Sequence, residues 1–219
     1  MPSFFSKKRK NKKMTITTLE IYKGDTYCLI ADGGKRIYIN KEIVEKFSLR
    51  EGMEIDRDTF TRIMYSSELR KASRRAMYLI NEREYSYRQL FEKLKANYPE
   101  EICFKVCDLM AKKGYVNDRR YAKALVYSYM ECKLYGPRRV RQELYRRGIK
   151  GKIADEAIEE ALDGLEDRIE TLIDRKYADK LLDPDDRKNI DKVKNALLRA
   201  GYDYGDIDRA VKEYIECQK

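Results

Sequence analysis

Gly136-Pro137-Arg138-Arg139-Val140-Arg141-Gln142-Glu143-Leu144-Tyr145-Arg146-Arg147-Gly148-Ile149 contains one helix together with both of its ends. Gly136 suits the N-cap, and Pro137 the first helical position, where a missing N–H is no loss. Gly148 suits the left-handed residue that follows a last turn. Between the glycines only Val140 and Leu144 are apolar, one turn apart, so the seam to be buried is narrow. At about 100° per residue, Arg138, Arg141, Gln142, Tyr145 and Arg146 spread over the other side. That side is a basic face with an aromatic ring in it. Surface charge alone could account for such a face, so its meaning depends on the rest of the chain.

The pattern repeats. Val140, Leu144, Gly148, Ala157, Ile158 and Leu162 are answered by Val193, Leu197, Gly201, Ala210, Val211 and Ile215, each 53 residues later. Upstream, Leu90 and Leu94 precede Val140 and Leu144 by 50, and Val106 and Met110 precede Ile158 and Leu162 by 52. A period near fifty with helical spacing inside it predicts a helical repeat array, three short helices to a unit.

Charge is spread unevenly along the 219 residues and their net +10. Residues 1–13 carry +6, 14–68 carry −2, 69–150 carry +12 and 151–219 carry −6. A basic middle beside an acidic end predicts an anionic partner for the middle. The five cysteines include no C-x-x-C pair. Cys103 and Cys107, one turn apart, read as buried apolar residues of a helix. This usage fits a reducing cytoplasm, and no signal-peptide core or membrane span is visible.

Taken in order, Lys7-Lys8-Arg9-Lys10-Asn11-Lys12-Lys13 is a basic tail expected to be disordered. Thr15–Ile21, Thr26–Ile30 and Arg36–Ile39 are β-branched and aromatic runs, with Gly24-Asp25 and Asp32-Gly33-Gly34-Lys35 as hairpin turns. Lys41 to Phe47 reads as a short helix, and Leu49 to Met53 as a turn. A long helical rhythm fills Asp58 to Glu84, with Ser66-Ser67 the place where a break would fall. Ser86 with Gln89 forms a capping box for the next helix. Pro99-Glu100-Glu101 opens another, which Gly114 ends. Asn117 or Asp118 starts a further one. After the basic helix come Ile153–Leu162, Leu165–Leu181, Ile190–Arg199 and Tyr204–Cys217.

No histidine is present, which removes the usual triads and the commonest metal ligand. Gly33-Gly34-Lys35 lacks the spacing of a phosphate loop. Pro184-Asp185-Asp186-Arg187-Lys188 echoes a metal-nuclease motif, but its acids are contiguous and suit a helix start instead. Nothing pairs a nucleophile with a base, so no enzyme, cofactor or metal centre is expected.

Gly114-Tyr115-Val116-Asn117-Asp118-Arg119-Arg120-Tyr121-Ala122, followed by Gly136–Leu144 and Gly148-Ile149, resembles the RecX family of recombination regulators. Arg83-Glu84-Tyr85-Ser86-Tyr87-Arg88-Gln89-Leu90-Phe91-Glu92-Lys93-Leu94 is similar to the family's R-x-x-S-x-x-E-L-x-x-K-L block, with Gln89 in place of the acid. The resemblance covers the first two repeats well, and the third is divergent. It implies a mainly α fold of three tandem three-helix repeats in an elongated, curved array, with a small N-terminal antiparallel β segment. The expected organisation is a basic tail over 1–13, a β-rich module over 14–57, and repeats over 58–116, 117–163 and 164–219.

The resemblance further implies a non-enzymatic partner of the RecA filament, with single-stranded DNA a second partner, acting as a cytoplasmic monomer without membrane contact. RecX proteins inhibit RecA ATP hydrolysis and strand exchange, and the family carries no catalytic residues. The contact set expected is Arg138, Arg141, Tyr145 and Arg146, flanked by Arg139, Arg147 and Lys150. Lys112, Lys113, Arg119 and Arg120 would extend it at the preceding junction. The alternative is a direct DNA-binding protein using one unit as a helix-turn-helix.

Overall fold

The computed structural model describes residues 13–217. The tail expected over 1–13 therefore lies outside the described residues, apart from Lys13, which pairs with Glu54 at 2.8 Å. The chain divides into two compact units. One runs to Tyr78 and includes Leu94–Val106; the other holds Leu79–Lys93 and the chain from Cys107 onward.

In the first unit β1 (Met14–Lys23), β2 (Thr26–Ala31) and β3 (Ile37–Asn40) form the expected meander. Ile21 faces Tyr27, and Cys28 faces Tyr38. A fourth strand, β4 (Glu54–Ile55), pairs with the start of β1, giving the order β3-β2-β1-β4. At two residues it is too short for a period-two signal, which is why the sequence showed only the turn before it. Asn40 caps α1 (Lys41–Lys46) by accepting the Glu42 N–H at 3.0 Å. Ile16, Leu29, Ile39, Ile43, Leu49 and Ile55 share one buried cluster with Ile63, against which Phe60 also packs. Ile63 and Phe60 belong to α2 (Arg57–Glu82).

That helix runs without a break at Ser66-Ser67. Ser67 is buried one turn beyond Ile63, and a small side chain in a buried row lets neighbouring elements approach closely. Serine's helix propensity is only moderately unfavourable, so packing decides.

The remaining helices are α3 (Tyr87–Lys95), α4 (Glu100–Lys112), α5 (Asp118–Tyr127), α6 (Pro137–Arg146), α7 (Lys152–Glu159), α8 (Leu165–Lys176), α9 (Arg187–Ala200) and α10 (Tyr204–Cys217). With the small antiparallel sheet this is the expected mainly α fold. Helices α5, α6 and α7 close over Ala122, Val126, Met130, Val140, Leu144, Ala157 and Ile158. Helices α8, α9 and α10 close over Ile169, Leu172, Ile173, Val193, Leu197, Ala210 and Val211. The residues spaced 53 apart thus do the same work twice: Val140, Leu144, Val193 and Leu197 are all fully buried. Each such side chain contributes about 1.5–3 kcal/mol of burial.

The pair Leu162 and Ile215 departs from the pattern. Helix α7 ends at Glu159, and Leu162 is exposed beyond it. Helix α8 also ends earlier than expected, at Lys176. A short 3-10 turn, Ala178–Lys180, then swings Leu181 into the core. Ser128–Cys132 winds as a π-turn after α5. Its periodicity is too close to that of an α-helix to be seen in sequence.

Within the second unit, α3, α6 and α9 meet end to end. Ser86, at the head of α3, donates its hydroxyl to the carbonyl of Arg147 at the tail of α6, at 2.5 Å. The expected capping box is present as well: the Gln89 N–H reaches Ser86 Oγ at 3.2 Å, and the Ser86 N–H reaches Gln89 Oε1 at 3.4 Å. In the same way, the Gly136 N–H at the head of α6 donates to the Ala200 carbonyl at 2.8 Å. The Arg138 N–H donates to the Gly201 carbonyl at 3.1 Å. Orphan N–H groups at the head of α6 thereby satisfy carbonyls at the tail of α9. Gly148 and Gly201 both stand at positive φ, 85° and 100°. A Cβ on Gly148 would lie 2.4 Å from Arg88 Cβ, and one on Gly201 would lie 2.5 Å from Arg139 Cβ.

Candidate interface on the basic helix

Helix α6 is built as its sequence predicts. Gly136 is the N-cap in extended conformation, Pro137 opens the first turn, and Val140 and Leu144 are buried. The opposite face is exposed. Arg141, Gln142, Tyr145 and Arg146 line a shallow groove there, and Tyr145 is 57% exposed. The Lys150 ammonium lies 4.1 Å from the Tyr145 ring centroid, so this flanking lysine joins the face through a cation–π contact.

The arginines differ in how firmly they are held. Arg138 pairs with Asp203 of the next unit, Arg141 with Asp155 of α7, and Arg146 with Glu143 at 2.9 Å. All three side chains are more than half exposed, and exposed pairs are worth only about 0–1 kcal/mol. An incoming anion can replace such carboxylates at little cost.

Arg147 is different. Its half-buried guanidinium donates to Glu143 Oε2 at 2.5 Å, to the Glu143 carbonyl at 2.9 Å and to the Tyr129 hydroxyl at 3.1 Å. Arg147 holds the Glu143 carboxyl below the usual carboxylate range, against the opposing effect of burial. Its donors are committed within the unit. Arg139 also turns inward: its guanidinium lies 3.9 Å from the Tyr135 ring centroid and 3.5 Å from the Arg199 carbonyl.

The junction residues are scattered rather than gathered. Arg119 pairs with Glu156 at 3.0 Å, beside the Asp155 that holds Arg141, so it borders the α6 face. Arg120 reaches back to Glu84 at 2.8 Å, and the carbonyls of Gly114 and Tyr115 each lie 3.5 Å away. Asn117 caps α5, leaving Asp118 to accept the Tyr87 N–H at 2.8 Å at the head of α3. Lys112 and Lys113 are exposed at the end of α4 with no carboxylate partner among the described residues.

Three cations near α6 were missed in the sequence reading. Arg199 lines the groove between α6 and α9 together with Arg138, Arg139 and Arg146. Lys133 and Lys176 line the adjoining groove, again with Arg139 and Arg199. A signal for Arg199 was available, since it stands 53 residues after Arg146. Among the described residues no group of His, Cys, Asp or Glu is placed to hold a metal ion. No helix of the described residues is long and apolar enough to cross a membrane.

Residues 117–162, which contain α5, α6 and α7, match the family model described as RecX, second three-helix domain. The chain is 27% identical over 179 residues to the Regulatory protein RecX of Clostridioides difficile (strain 630), covering 82% of this chain and 84% of that one. It is 25% identical over 204 residues to the Regulatory protein RecX of Oceanobacillus iheyensis, covering 90% and 75%. Among solved structures, one titled Crystal structure of regulatory protein RecX superposes with a TM-score of 0.72 at 21% identity, over 91% of this chain and 99% of that one. A second, of RecX from Lactobacillus salivarius, gives 0.63 at 22% identity, over 68% and 97%. These two likenesses concern the fold.

Proposed function

We propose, with membership of the RecX family as the premise, that this chain is a non-enzymatic cytoplasmic regulator. It binds the RecA–single-stranded DNA filament and inhibits its ATPase, strand-exchange and recombination activity. The observation that carries this reading is the α6 face. In the unit that matches the RecX second three-helix domain, Arg138, Arg141, Tyr145 and Arg146 stand exposed over a fully buried Val140–Leu144 seam. Guanidinium groups suit carboxylate and phosphate equally, and a filament of protein on DNA offers both.

The test is RecA ATP hydrolysis on single-stranded DNA with increasing amounts of this protein. Wild type should inhibit at substoichiometric amounts. Arg138→Ala/Arg141→Ala/Arg146→Ala should lose potency by at least about tenfold, since each charge-assisted contact is worth roughly 1.5–3 kcal/mol. Its melting temperature should stay close to wild type. A wild-type protein without effect on RecA, coupled with tight sequence-specific duplex binding, would instead favour a helix-turn-helix DNA binder.

A further inference from the structure

The α6 face does not end with α6. The groove between α6 and α9, of about 420 Å³, is lined by Arg138, Arg139, Arg146 and Arg199, with Glu143 the one carboxylate. The adjoining groove, of about 290 Å³, carries Lys133, Arg139, Lys176 and Arg199, and no carboxylate lines it. Arg139 and Arg199 belong to both, so the two grooves adjoin.

Most cations around α6 are already neutralised by acids, as with Arg119, Lys123, Arg138, Arg141, Arg146 and Arg147. Lys133, Arg139, Lys176 and Arg199 have no carboxylate partner among the described residues. Glu143 is held by Arg146 and Arg147. The tail of α9 would ordinarily present bare carbonyls and a partial negative charge here. Instead the Ala200 and Gly201 carbonyls accept the Gly136 and Arg138 N–H groups of α6. The field of the groove is therefore that of its side chains.

We infer that this pair of grooves is a track for the sugar–phosphate backbone of single-stranded DNA, carrying the α6 contact surface onto the third helical unit. The inference rests on the reading of α6 as the contact helix. Two features favour a nucleic acid over an acidic protein surface. Protein interfaces are organised around a buried apolar centre, and the α6–α9 groove has only half-buried Leu198 to offer among large apolar side chains. Nucleic-acid interfaces are more polar and far more positive. Tyr177 lines the second groove beside its cations. A ring within a cationic groove suits a single strand, whose bases are free to stack.

The experiment uses the full chain, with DNA binding measured in the absence of RecA and inhibition of RecA ATP hydrolysis measured in parallel on the same variants. Binding of a fluorescein-labelled oligo(dT) is followed by anisotropy across a potassium chloride series, for wild type, Lys176→Ala/Arg199→Ala and Arg199→Lys. Both replaced residues lie outside α6 and outside the apolar seams. The double variant should bind about tenfold more weakly at low salt, and its log K against log salt slope should be shallower by roughly 1.4, at about 0.7 per lost phosphate contact. Arg199→Lys should retain the wild-type slope, and the melting curves should coincide.

Unchanged affinity and slope in the double variant would overturn the inference. So would loss of RecA inhibition with oligo(dT) binding intact, because the groove would then face protein. Equal binding of a blunt duplex, with the same loss, would overturn the single-strand assignment. If wild type binds oligo(dT) through this track but leaves RecA hydrolysis untouched, the track stands and the proposed function falls.

Discussion

Gly136 and Gly201 meet backbone to backbone across the junction of α6 and α9. A Cβ added to Gly136 would stand 2.3 Å from the Gly201 carbonyl carbon and 2.4 Å from the Tyr202 nitrogen. The backbone angles of Gly136, φ −73° and ψ 162°, are open to any residue. Its glycine is required by the approach of the next unit, a second requirement beside the N-cap role that the sequence suggests.

Gly136→Ala should therefore destabilise the protein. The neighbouring atoms are main chain and cannot rotate aside, so an overpacking cost of about 1–3 kcal/mol or more is expected. Gly205→Ala is the control. It lies in α10 with open space around it and no positive φ, and alanine there should stabilise by roughly 0.5–1 kcal/mol. Thermal melts of the two variants should move in opposite directions.

Arg146 and Arg147 are adjacent in sequence and should separate in experiment. Arg147→Ala removes a half-buried guanidinium that bonds Glu143 and Tyr129, and should cost about 1–3 kcal/mol of stability. Arg146→Ala removes an exposed partner of the same carboxylate, and should stay within about 0.5 kcal/mol. Denaturant unfolding measures both. Leu144→Asp sets the opposite limit: it places a carboxylate without a partner on the fully buried seam, and cooperative unfolding should be lost.

Both clusters of the repeat were legible because they repeat: a row such as Val140, Leu144, Ala157 and Ile158 appears again 53 residues on. The exposed α6 face followed from the same spacing. Less could be read of how each arginine is used. Arg146 and Arg147 look alike in sequence, and only the wide π-turn at Ser128–Cys132, which no periodicity announces, brings Tyr129 to Arg147. The short β4 and the early end of α8 were hidden for a related reason. Two residues show no period, and the 3-10 turn that carries Leu181 inward is set by tertiary packing.

Tyr202 gives the fold an alkaline limit. The side chain is fully buried, its hydroxyl donates to the Leu134 carbonyl at 3.1 Å, and burial pushes the phenol up to about 12. In the unfolded chain a tyrosine ionises near pH 10. The folded state favours the neutral form, so this contribution is complete below about pH 10 and is lost as pH rises from there towards 12. Tyr202→Phe should be less stable than wild type at neutral pH, by about 1 kcal/mol for the lost hydrogen bond. The gap between their melting temperatures should close as pH is raised through that window.

The thiols should fall into two classes. Cys28, Cys103 and Cys107 are buried, while Cys132 and Cys217 are exposed. Burial pushes the Cys103 thiol up, disfavouring its reactive thiolate. Under native conditions a thiol reagent should modify Cys132 and Cys217 quickly, and the other three only at the rate of unfolding. Chelator should leave the melting temperature unchanged.

The end-to-end docking of α9 on α6, and of α6 on α3, fixes a phase along the chain. Gly201 must reach Gly136, and the Arg147 carbonyl must reach Ser86, or helix ends are left bare. Changes of length are then unequal in effect. An inserted residue in the exposed loop around Leu182 to Asp185 leaves both contacts in step, because α9 carries its own cap, Asp186 accepting the Asn189 N–H at 3.0 Å. The same insertion between Ala200 and Tyr202 displaces the buried Tyr202 and α10 relative to α9. It also moves the Gly201 carbonyl away from the Arg138 N–H of the helix that carries the basic face. Insertions and deletions should be tolerated at the first place and excluded at the second.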